Sequence, residues 1–412
     1  MSYKTLLRNR DIKRLLENFF SLSILQVLTM FLPLITLPYI MGVIGSSNYG
    51  VIILANSFLN YFVTLSDFSF NITATREIAV HRHSRTALIY IYNKVFNTQL
   101  FILLVSAIIY FSTVFLYPKF STEAQVFAFT FIALLGKTIF PDWFFQGVEK
   151  MRFITIFNVT TRLLFVVCIF VFVKEEKDYV LHPLFLGLGS LVSGIIAQVY
   201  IYKVYQLRYR FIGLPRIFKV MNSNFGIFIN QFLPQLYNNS TTLILGVFAV
   251  NSTVGVYGAM KAVVDVFVTI VRTISRVFFP FLSRNSRHFV KFSYLIIGTG
   301  LLATACILLF SNFIPNYLNV TDDGATSILI VLGLGVPFLA MYQCYGTNYF
   351  LVKRKDSIVI RNTFVSSVIG FITSFPLVII FGGGGAAANL TICRILMGGG
   401  LYLKFRREQN KT

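Results

Sequence analysis

The chain has 412 residues, of which 56% are hydrophobic and only 12% are charged. A soluble domain carries about 25% charged residues, so this composition excludes an ordinary soluble protein. The net charge of +21 would indicate nucleic acid as a partner of a soluble chain. In a membrane protein it marks the cytoplasmic loops instead, and we expect no nucleic acid among the partners.

Apolar blocks recur along the chain, and each is long enough to cross a bilayer as a helix. The first begins at Phe19 and is too long for the core of a signal peptide, so it predicts a retained transmembrane helix. We predict an all-α polytopic membrane protein with twelve transmembrane helices, at residues 19–44, 49–70, 96–117, 124–146, 153–173, 180–202, 223–249, 254–280, 290–313, 325–351, 357–381 and 385–403.

Lysine and arginine are spread unevenly among the predicted loops. The two ends of the chain and the even-numbered loops hold most of them, whereas the odd-numbered loops hold Lys119, Lys174 and Lys177. Basic loops remain in the cytoplasm, so this asymmetry predicts that both termini are cytoplasmic.

The two halves of the chain show a weak internal similarity. Leu32-Pro33 and Tyr49-Gly50 recur as Leu233-Pro234 and Tyr257-Gly258. Six spans per half would make the halves parallel repeats, although chance similarity between apolar helices remains an alternative. We predict an N-terminal six-helix bundle at 1–202, a cytoplasmic linker loop at 203–222 and a C-terminal six-helix bundle at 223–412.

The eighth predicted span carries a stripe of charged residues. At about 100° of rotation per residue, they lie within roughly 60° of one helix face: Lys261, Asp265, Arg272 and Arg276. A charge near the bilayer centre is costly unless it faces a polar cavity or a partner. Lys261 and Asp265 are spaced i,i+4 and can neutralise each other, and Arg276 can reach the interface. Arg272 is therefore the first candidate for contact with an anionic cargo.

Other predicted spans also contain charged residues. As cations of the same cavity we predict Arg162, Lys137 and Arg394 in addition to Arg272 and Lys261. The alternatives are an ion pair for Arg162 and snorkelling to the interface for Lys137. As groups for ion coupling, or as charge partners, we predict Asp265, Asp67 and Asp142.

Amide side chains form a second kind of polar face. Gln231, Gln235 and Asn238 lie close together around the seventh span, and Asn60 lies in the second. Such amides either hydrogen-bond sugars in a cavity or join helices to one another, and both interpretations remain open. We predict these four residues as glycan-facing.

Motifs for nucleotide or metal chemistry are missing from the sequence. No G-x-x-x-x-G-K-[ST] loop occurs, and the four cysteines lie in apolar spans without metal-ligand spacing. We therefore expect no catalytic residue, no cofactor and no metal, and a protein that is not an enzyme.

Several stretches of the chain carry a family resemblance. Thr73-Ala74-Thr75-Arg76-Glu77-Ile78-Ala79 is similar to an "ATREIA" segment of the Wzx-type flippases of polysaccharide biosynthesis, a family that transports lipid-linked oligosaccharides. Asp142-Trp143-Phe144-Phe145-Gln146-Gly147-Val148-Glu149 is similar to its "WFFQGxE" signature. Leu37-Pro38-Tyr39-Ile40 and Leu243-Ile244-Leu245-Gly246 also match, so the resemblance covers essentially the whole chain.

This resemblance implies a member of the multidrug/oligosaccharidyl-lipid/polysaccharide exporter superfamily, with two six-helix bundles around a V-shaped central cavity. The implied cargo is an undecaprenyl-pyrophosphate-linked oligosaccharide, which moves from the cytoplasmic to the outer leaflet of the bacterial inner membrane. The implied partners are a polysaccharide polymerase and a chain-length regulator. The pyrophosphate would be the anion for the predicted cations, because lysine and arginine are the natural partners of phosphates.

Three other functions compete with this one. A cation-coupled multidrug exporter of the same superfamily should have an acidic site, whereas bases outnumber acids in the predicted spans. A polymerase or scaffold should have a large outer loop, and the odd-numbered loops are short. A peptidoglycan-precursor flippase usually has fourteen spans, more than this length readily supplies.

Overall fold

The computed structural model describes residues 10–284, 286–322 and 324–410. Within them the secondary structure is helical, without strands, which confirms the predicted all-α class. The α-helices are α1 Arg10–Asp67, α2 Phe70–His81, α3 Arg85–Leu116, α4 Pro118–Ser121, α5 Ala124–Ile139, α6 Asp142–Gly147, α7 Met151–Phe172, α8 Leu181–Tyr205, α9 Leu214–Phe248, α10 Asn251–Arg284, α11 Phe289–Leu309, α12 Phe313–Tyr317, α13 Gly324–Leu334, α14 Val336–Met341 and α15 Asp356–Gln409. A π-helix at Tyr342–Leu351 follows α14.

Nine helices of this described part are long and apolar enough to cross a membrane. The chain is therefore a multi-pass membrane protein, and the number twelve stays a prediction. Two of the long helices are broken near predicted span boundaries, α1 at Gly45 and α15 at Gly382. Both residues have positive φ, 73° and 53°, a conformation that glycine adopts without a Cβ penalty.

The chain divides into two compact units. Unit 1 comprises the described residues up to Leu32 together with Phe58–Phe232, and unit 2 comprises Pro33–Ser57 together with the described residues from Leu233 onward. This division differs from the predicted boundaries at 1–202, 203–222 and 223–412, because the middle of α1 belongs to unit 2. The predicted pair of six-helix bundles stays a prediction.

Aromatic side chains form much of the core of unit 1. Trp143, Phe144 and Phe145 are buried together on the short helix α6. Phe68 stacks on Phe228 with ring centroids 4.5 Å apart. Aromatic rings bury large apolar surfaces, so this cluster holds α6 firmly in place at the site described below.

Helices in unit 2 approach each other through glycine. A Cβ on Gly50 of α1 would lie 1.8 Å from the carbonyl oxygen of Asn251, and one on Gly255 of α10 would lie 1.9 Å from that of Ser46. Only glycine permits such a backbone contact, which is a common mode of helix association in membranes. This contact explains why residues 33–57 pack with the second half of the chain.

The predicted linker is shorter in the structure than in the sequence interpretation. α8 continues to Tyr205 and α9 begins at Leu214, so the non-helical connection is residues 206–213. Two buried asparagines of α3 hold this loop. Asn93 donates to the carbonyl of Arg208 at 3.1 Å and accepts from the amide of Arg210 at 2.6 Å, and Asn97 donates to the carbonyl of Arg210 at 2.9 Å.

Candidate functional site

Unit 1 contains a polar cavity of about 280 Å³, which we call the unit 1 cavity. Its walls come from α1, α2, α3, α5, α6 and α7. The lining residues are Val63, Ser66, Asp67, Asn71, Gln99, Leu134, Lys137, Thr138, Phe140, Asp142, Trp143 and Asn158. Three of the residues predicted from sequence, Asp67, Lys137 and Asp142, therefore meet at one cavity although they lie on three different helices.

The charges of this cavity are close to one another but are not paired. Asp142 interacts electrostatically with both Asp67 and Lys137, yet no ion pair within 4.0 Å involves these three residues in the described chain. Asp67 is hydrogen-bonded to Asn71. Arg162 interacts electrostatically with Lys137, a like charge, and also lacks an ion pair there. Unpaired charges inside a membrane segment mark functional positions.

Trp143 forms a rigid wall of the unit 1 cavity. Its indole Nε1 donates to Oε1 of Gln99 at 3.1 Å, and its carbonyl accepts from the hydroxyl of Thr75 at 3.2 Å. The side chain is 1% exposed. Since both its polar groups are satisfied by the protein, Trp143 presents the cavity with an apolar surface.

The two segments that carry the family resemblance pack against each other. Thr75 of α2 bonds Trp143 of α6 as described, and a Cβ on Gly147 would lie 2.6 Å from Cβ of Ile78. Arg82, just after α2, forms an ion pair with Glu149, just after α6. These residues of the two segments therefore build and fasten one wall of the cavity.

Unit 2 contains a separate group of charges, which we call the unit 2 cluster: Lys261, Asp265, Arg272 and Arg394. The predicted i,i+4 pair is present, because Nζ of Lys261 donates to Oδ2 of Asp265 at 2.7 Å. From α15, Nη2 of Arg394 lies 3.7 Å from Oδ1 of Asp265, and its Nη1 donates to the carbonyl of Leu332 at 3.2 Å. Asp265 therefore partly neutralises both Lys261 and Arg394.

Arg272 is the more available cation of the unit 2 cluster. It is exposed, interacts electrostatically with Asp265 and makes no ion pair within the described chain. Arg394, by contrast, is only 6% exposed. Arg276, one turn beyond Arg272, is also exposed, as expected for an interfacial anchor. The cluster as a whole has three cations and one acid.

A polar network borders the unit 2 cluster on the following turn of α10. Ser275 donates to Oε1 of Gln343 at 3.0 Å and accepts from Nδ2 of Asn348 at 2.6 Å. Both partners lie on the π-helix, and π-helices occur frequently at functional sites. A wider helix also explains why the 3.6-residue period did not reveal this face in the sequence.

Two of the four predicted glycan-facing amides are described, and neither lines the unit 1 cavity. Asn60 and Gln231 are half-buried in unit 1 and are not among the residues that line it. The side chains of Gln235 and Asn238 lie outside the described part of the chain. The glycan-facing role of all four residues stays a prediction.

Ser66 and Thr138 are two cavity residues that sequence reasoning missed. Each directly neighbours a predicted charge, Asp67 or Lys137, and each lines the unit 1 cavity. The sequence signal for them was a serine or threonine next to a charged residue. Serine and threonine are common in membrane helices, so this signal is not specific. Only the fold distinguishes these two from hydroxyls that bond their own helix.

Known proteins similar to this chain include two from enteric bacteria. The "Putative O-antigen transporter" of Escherichia coli (strain K12) is 26% identical over 396 residues, 92% of this chain and 94% of that protein. A Shigella dysenteriae protein of the same name is 22% identical over 382 residues, 89% of this chain and 93% of that protein.

Two solved structures are similar in fold. Lipid II flippase MurJ in an inward closed conformation superimposes with a TM-score of 0.72 at 13% identity, covering 95% of this chain and 87% of MurJ. An inward-facing multidrug resistance MATE family transporter of the MOP superfamily gives a TM-score of 0.62 at 11% identity, covering 94% and 98%. The family model described as "Polysaccharide biosynthesis protein" matches residues 15–286, and the chain belongs to that family.

Proposed function

We propose that this protein is a flippase for an undecaprenyl-pyrophosphate-linked oligosaccharide repeat unit. It would move the repeat unit from the cytoplasmic to the outer leaflet by alternating access, for O-antigen or capsule-type polysaccharide. The family and the O-antigen transporters among its relatives support the substrate class. The fold shared with a lipid II flippase supports the type of movement.

The observation that carries the proposal is the surplus of cations in the unit 2 cluster, which lies on the membrane-spanning helices α10 and α15. A pyrophosphate is an anion that must be carried through a membrane, and arginine binds phosphate through two parallel hydrogen bonds. Lys261 and Arg394 are engaged with Asp265, so Arg272 is the principal pyrophosphate ligand. Arg162 and Lys137 are the cations that we propose for unit 1.

The orientation and the partners form a further part of the proposal. The excess of lysine and arginine at both ends of the chain and in the even-numbered loops supports cytoplasmic termini in a bacterial inner membrane. A flippase of this kind supplies a polysaccharide polymerase and its chain-length regulator. The protein would catalyse no covalent step, so it is a transporter and not an enzyme.

The test replaces single cations and measures surface polysaccharide. Arg272→Ala and Arg162→Ala are expressed in a strain that lacks its own copy of this protein, with immunoblots to confirm equal amounts in the membrane. A lost charge-assisted hydrogen bond is worth about 1.5–3 kcal/mol, or roughly a 10- to 100-fold loss of affinity. We expect little or no surface polymer from either variant.

Arg276→Ala is the matched control, because Arg276 lies on the same stripe of α10 but nearer the interface. We expect it to support polymer at the wild-type level. Full polymer from both Arg272→Ala and Arg162→Ala would refute the role of the cations.

A cation-coupled multidrug exporter is the second candidate. The two carboxylates of the unit 1 cavity, Asp67 and Asp142, favour it, and so does the fold shared with a MATE transporter. Bases nevertheless outnumber acids in the unit 2 cluster. Export of cationic drugs by a pump-deficient strain that expresses this protein, without restoration of surface polysaccharide, would decide for the exporter.

A further inference from the structure

Unit 1 contains a second cavity, of about 660 Å³, where α3 begins and α8 ends. We call it the basic pocket. It shares no lining residue with the unit 1 cavity. The described residues that line it include no acid and four cations, which are Arg85, Lys203, Arg208 and Arg210. A cleft lined by charges of one sign attracts ligands of the opposite sign, so the pocket suits an anion.

The four cations are available to such a ligand. All four are exposed, and none forms an ion pair with a described residue. A neighbouring cation of α3 differs, because Nζ of Lys94 lies 2.6 Å from Oε2 of Glu77. Arg85 donates one hydrogen bond from Nη2 to Oε1 of Gln206 at 2.7 Å. A guanidinium group has five donors, so most of those of Arg85 remain for a ligand.

The loop that carries two of the arginines is held rigidly. The backbone of Arg208 and of Arg210 is hydrogen-bonded to the side chains of Asn93 and Asn97, as described above. Between the arginines, the hydroxyl of Tyr209 donates to Oδ1 of Asn97 at 2.8 Å. Both asparagines are buried. A loop that is already ordered loses little conformational entropy when a ligand binds.

The basic pocket lies at the depth of lipid headgroups. Both α3 and α8 are long and apolar enough to cross a membrane, and the pocket is lined by residues from the start of α3 and from the last turn of α8. Tyr202 and Tyr209 are exposed beside the cations, and tyrosine is enriched at the membrane–water interface. In the proposed orientation this end of the helices faces the cytoplasmic leaflet.

An apolar stripe of α8 leads from the basic pocket into the membrane span. Its five residues recur every three or four positions, so they lie on one face of the helix, and each is at least 42% exposed: Leu188, Val192, Ile195, Val199 and Tyr202. Tyr202 also lines the pocket. The stripe extends for about 21 Å at 1.5 Å per residue. An exposed apolar face of a membrane helix contacts hydrocarbon chains, so the cations and the stripe together match a charged headgroup with its acyl chain.

We propose that the basic pocket binds the phosphate groups of an anionic phospholipid, most tightly one with two phosphates, such as cardiolipin. Basic pockets between membrane helices on the cytoplasmic side suit such headgroups. Arginine binds phosphate oxygens through paired hydrogen bonds, and four cations can serve two phosphates at once. This inference goes beyond the proposed function, because the ligand is a lipid of the membrane and none of the four cations is proposed to contact the cargo.

Native mass spectrometry tests the proposal by counting the lipids that stay bound. Purified full-length protein, freed of lipid in a neutral detergent, is mixed with cardiolipin, phosphatidylglycerol or phosphatidylethanolamine at equal concentrations. We expect cardiolipin to be retained most and phosphatidylglycerol less, whereas phosphatidylethanolamine, which has no net charge, should stay at background. Cardiolipin should also raise the apparent Tm, because a ligand that binds only the folded state stabilises it.

Two double variants change the same net charge at different places. Arg208→Gln with Arg210→Gln removes two cations of the basic pocket and should weaken cardiolipin binding by roughly 30-fold. Arg216→Gln with Lys219→Gln removes two exposed cations from the start of α9, outside the pocket, and should bind as the wild type does.

A third double variant keeps the test independent of the loop. Arg85→Gln with Lys203→Gln leaves residues 206–213 unchanged and removes the cations of α3 and α8, so it should weaken cardiolipin binding by a similar factor. The apparent Tm of each variant without lipid, compared with that of the wild type, checks that the protein is folded.

Four results would overturn the proposal. The first is equal retention of cardiolipin and phosphatidylethanolamine, and the second is equal weakening by the pocket variants and the α9 variant. Displacement of cardiolipin by the same concentration of inorganic pyrophosphate would show a site for free phosphates. Displacement by the same concentration of undecaprenyl pyrophosphate would assign the pocket to the cargo.

Discussion

The unit 1 cavity and the unit 2 cluster both concentrate charge inside membrane-spanning helices, but they differ in whether the charges are paired. In unit 2, Asp265 pairs with Lys261 on its own helix and with Arg394 on another. In unit 1, Asp67, Lys137 and Asp142 line an open volume and form no ion pair within the described chain. Paired cations such as Lys261 and Arg394 therefore stabilise the protein, whereas the unpaired charges of unit 1, like Arg272 of unit 2, remain available to a ligand.

This difference distinguishes charged residues that stabilise a membrane protein from charged residues that bind a ligand. Counting intramembrane charges marks both places equally, because each charge is costly without compensation. What separates them is whether the protein itself supplies the partner. Removing a paired charge of unit 2 should then cost stability, whereas removing an unpaired charge of unit 1 should cost little or none.

The largest loss of stability is expected for Arg394→Met. This change removes the side-chain donor to the carbonyl of Leu332, which keeps the amide of Gly335, and removes one partner of Asp265, at a cost of about 1–3 kcal/mol. The apparent Tm of the purified protein should fall by about 1–4 °C. Scanning fluorimetry of the variant and the wild type in the same detergent measures this difference in Tm.

The control is Arg361→Met, which removes an exposed arginine from the same helix, α15. Its Tm should stay close to that of the wild type. Equal melting of Arg394→Met and wild type would show that the buried arginine is not a structural charge.

A smaller loss is expected for Lys261→Met. The ion pair with Asp265 is partly exposed, with 28% and 42% of the two side chains accessible, and an i,i+4 pair is worth about 0.2–0.5 kcal/mol. The apparent Tm should fall by about 0.5 °C or less. A double-mutant cycle with Asp265→Asn isolates the pair, and a coupling above about 1 kcal/mol would place it among the strong buried pairs instead.

Sequence reasoning reached the local features of both sites. The i,i+4 spacing of Lys261 and Asp265 predicted their ion pair, and the apolar blocks predicted membrane helices. The breaks at Gly45 and Gly382 fall near predicted boundaries because a helix break depends on local backbone conformation. Each of these features is decided by residues within about one turn of one another.

The features that sequence reasoning missed depend on contacts between distant segments. Nothing near Arg394 in the sequence indicates that it reaches Asp265. The cavity around Asp142 exists because α1, α5, α6 and α7 meet there. The glycine contact at Gly50 and Gly255, which packs residues 33–57 with the second half of the chain, acts across two helices. Helical periodicity describes one face of one helix and carries no information on which helix that face meets.

The smallest change in stability is expected for Lys137→Met, and its sign is the sharpest test of the comparison. Lys137 has no ion pair to lose within the described chain, and its positive charge is opposed by Arg162 more than it is favoured by Asp142. Removing the ammonium group also removes its desolvation cost, so the apparent Tm should equal or exceed that of the wild type. Lys137→Arg, which keeps the charge, should melt no higher than the wild type. If Lys137→Met instead melted as low as Arg394→Met, the cavity lysine would be a structural charge. The carboxylates around it would then already have their partner, and the contrast between the two units would disappear.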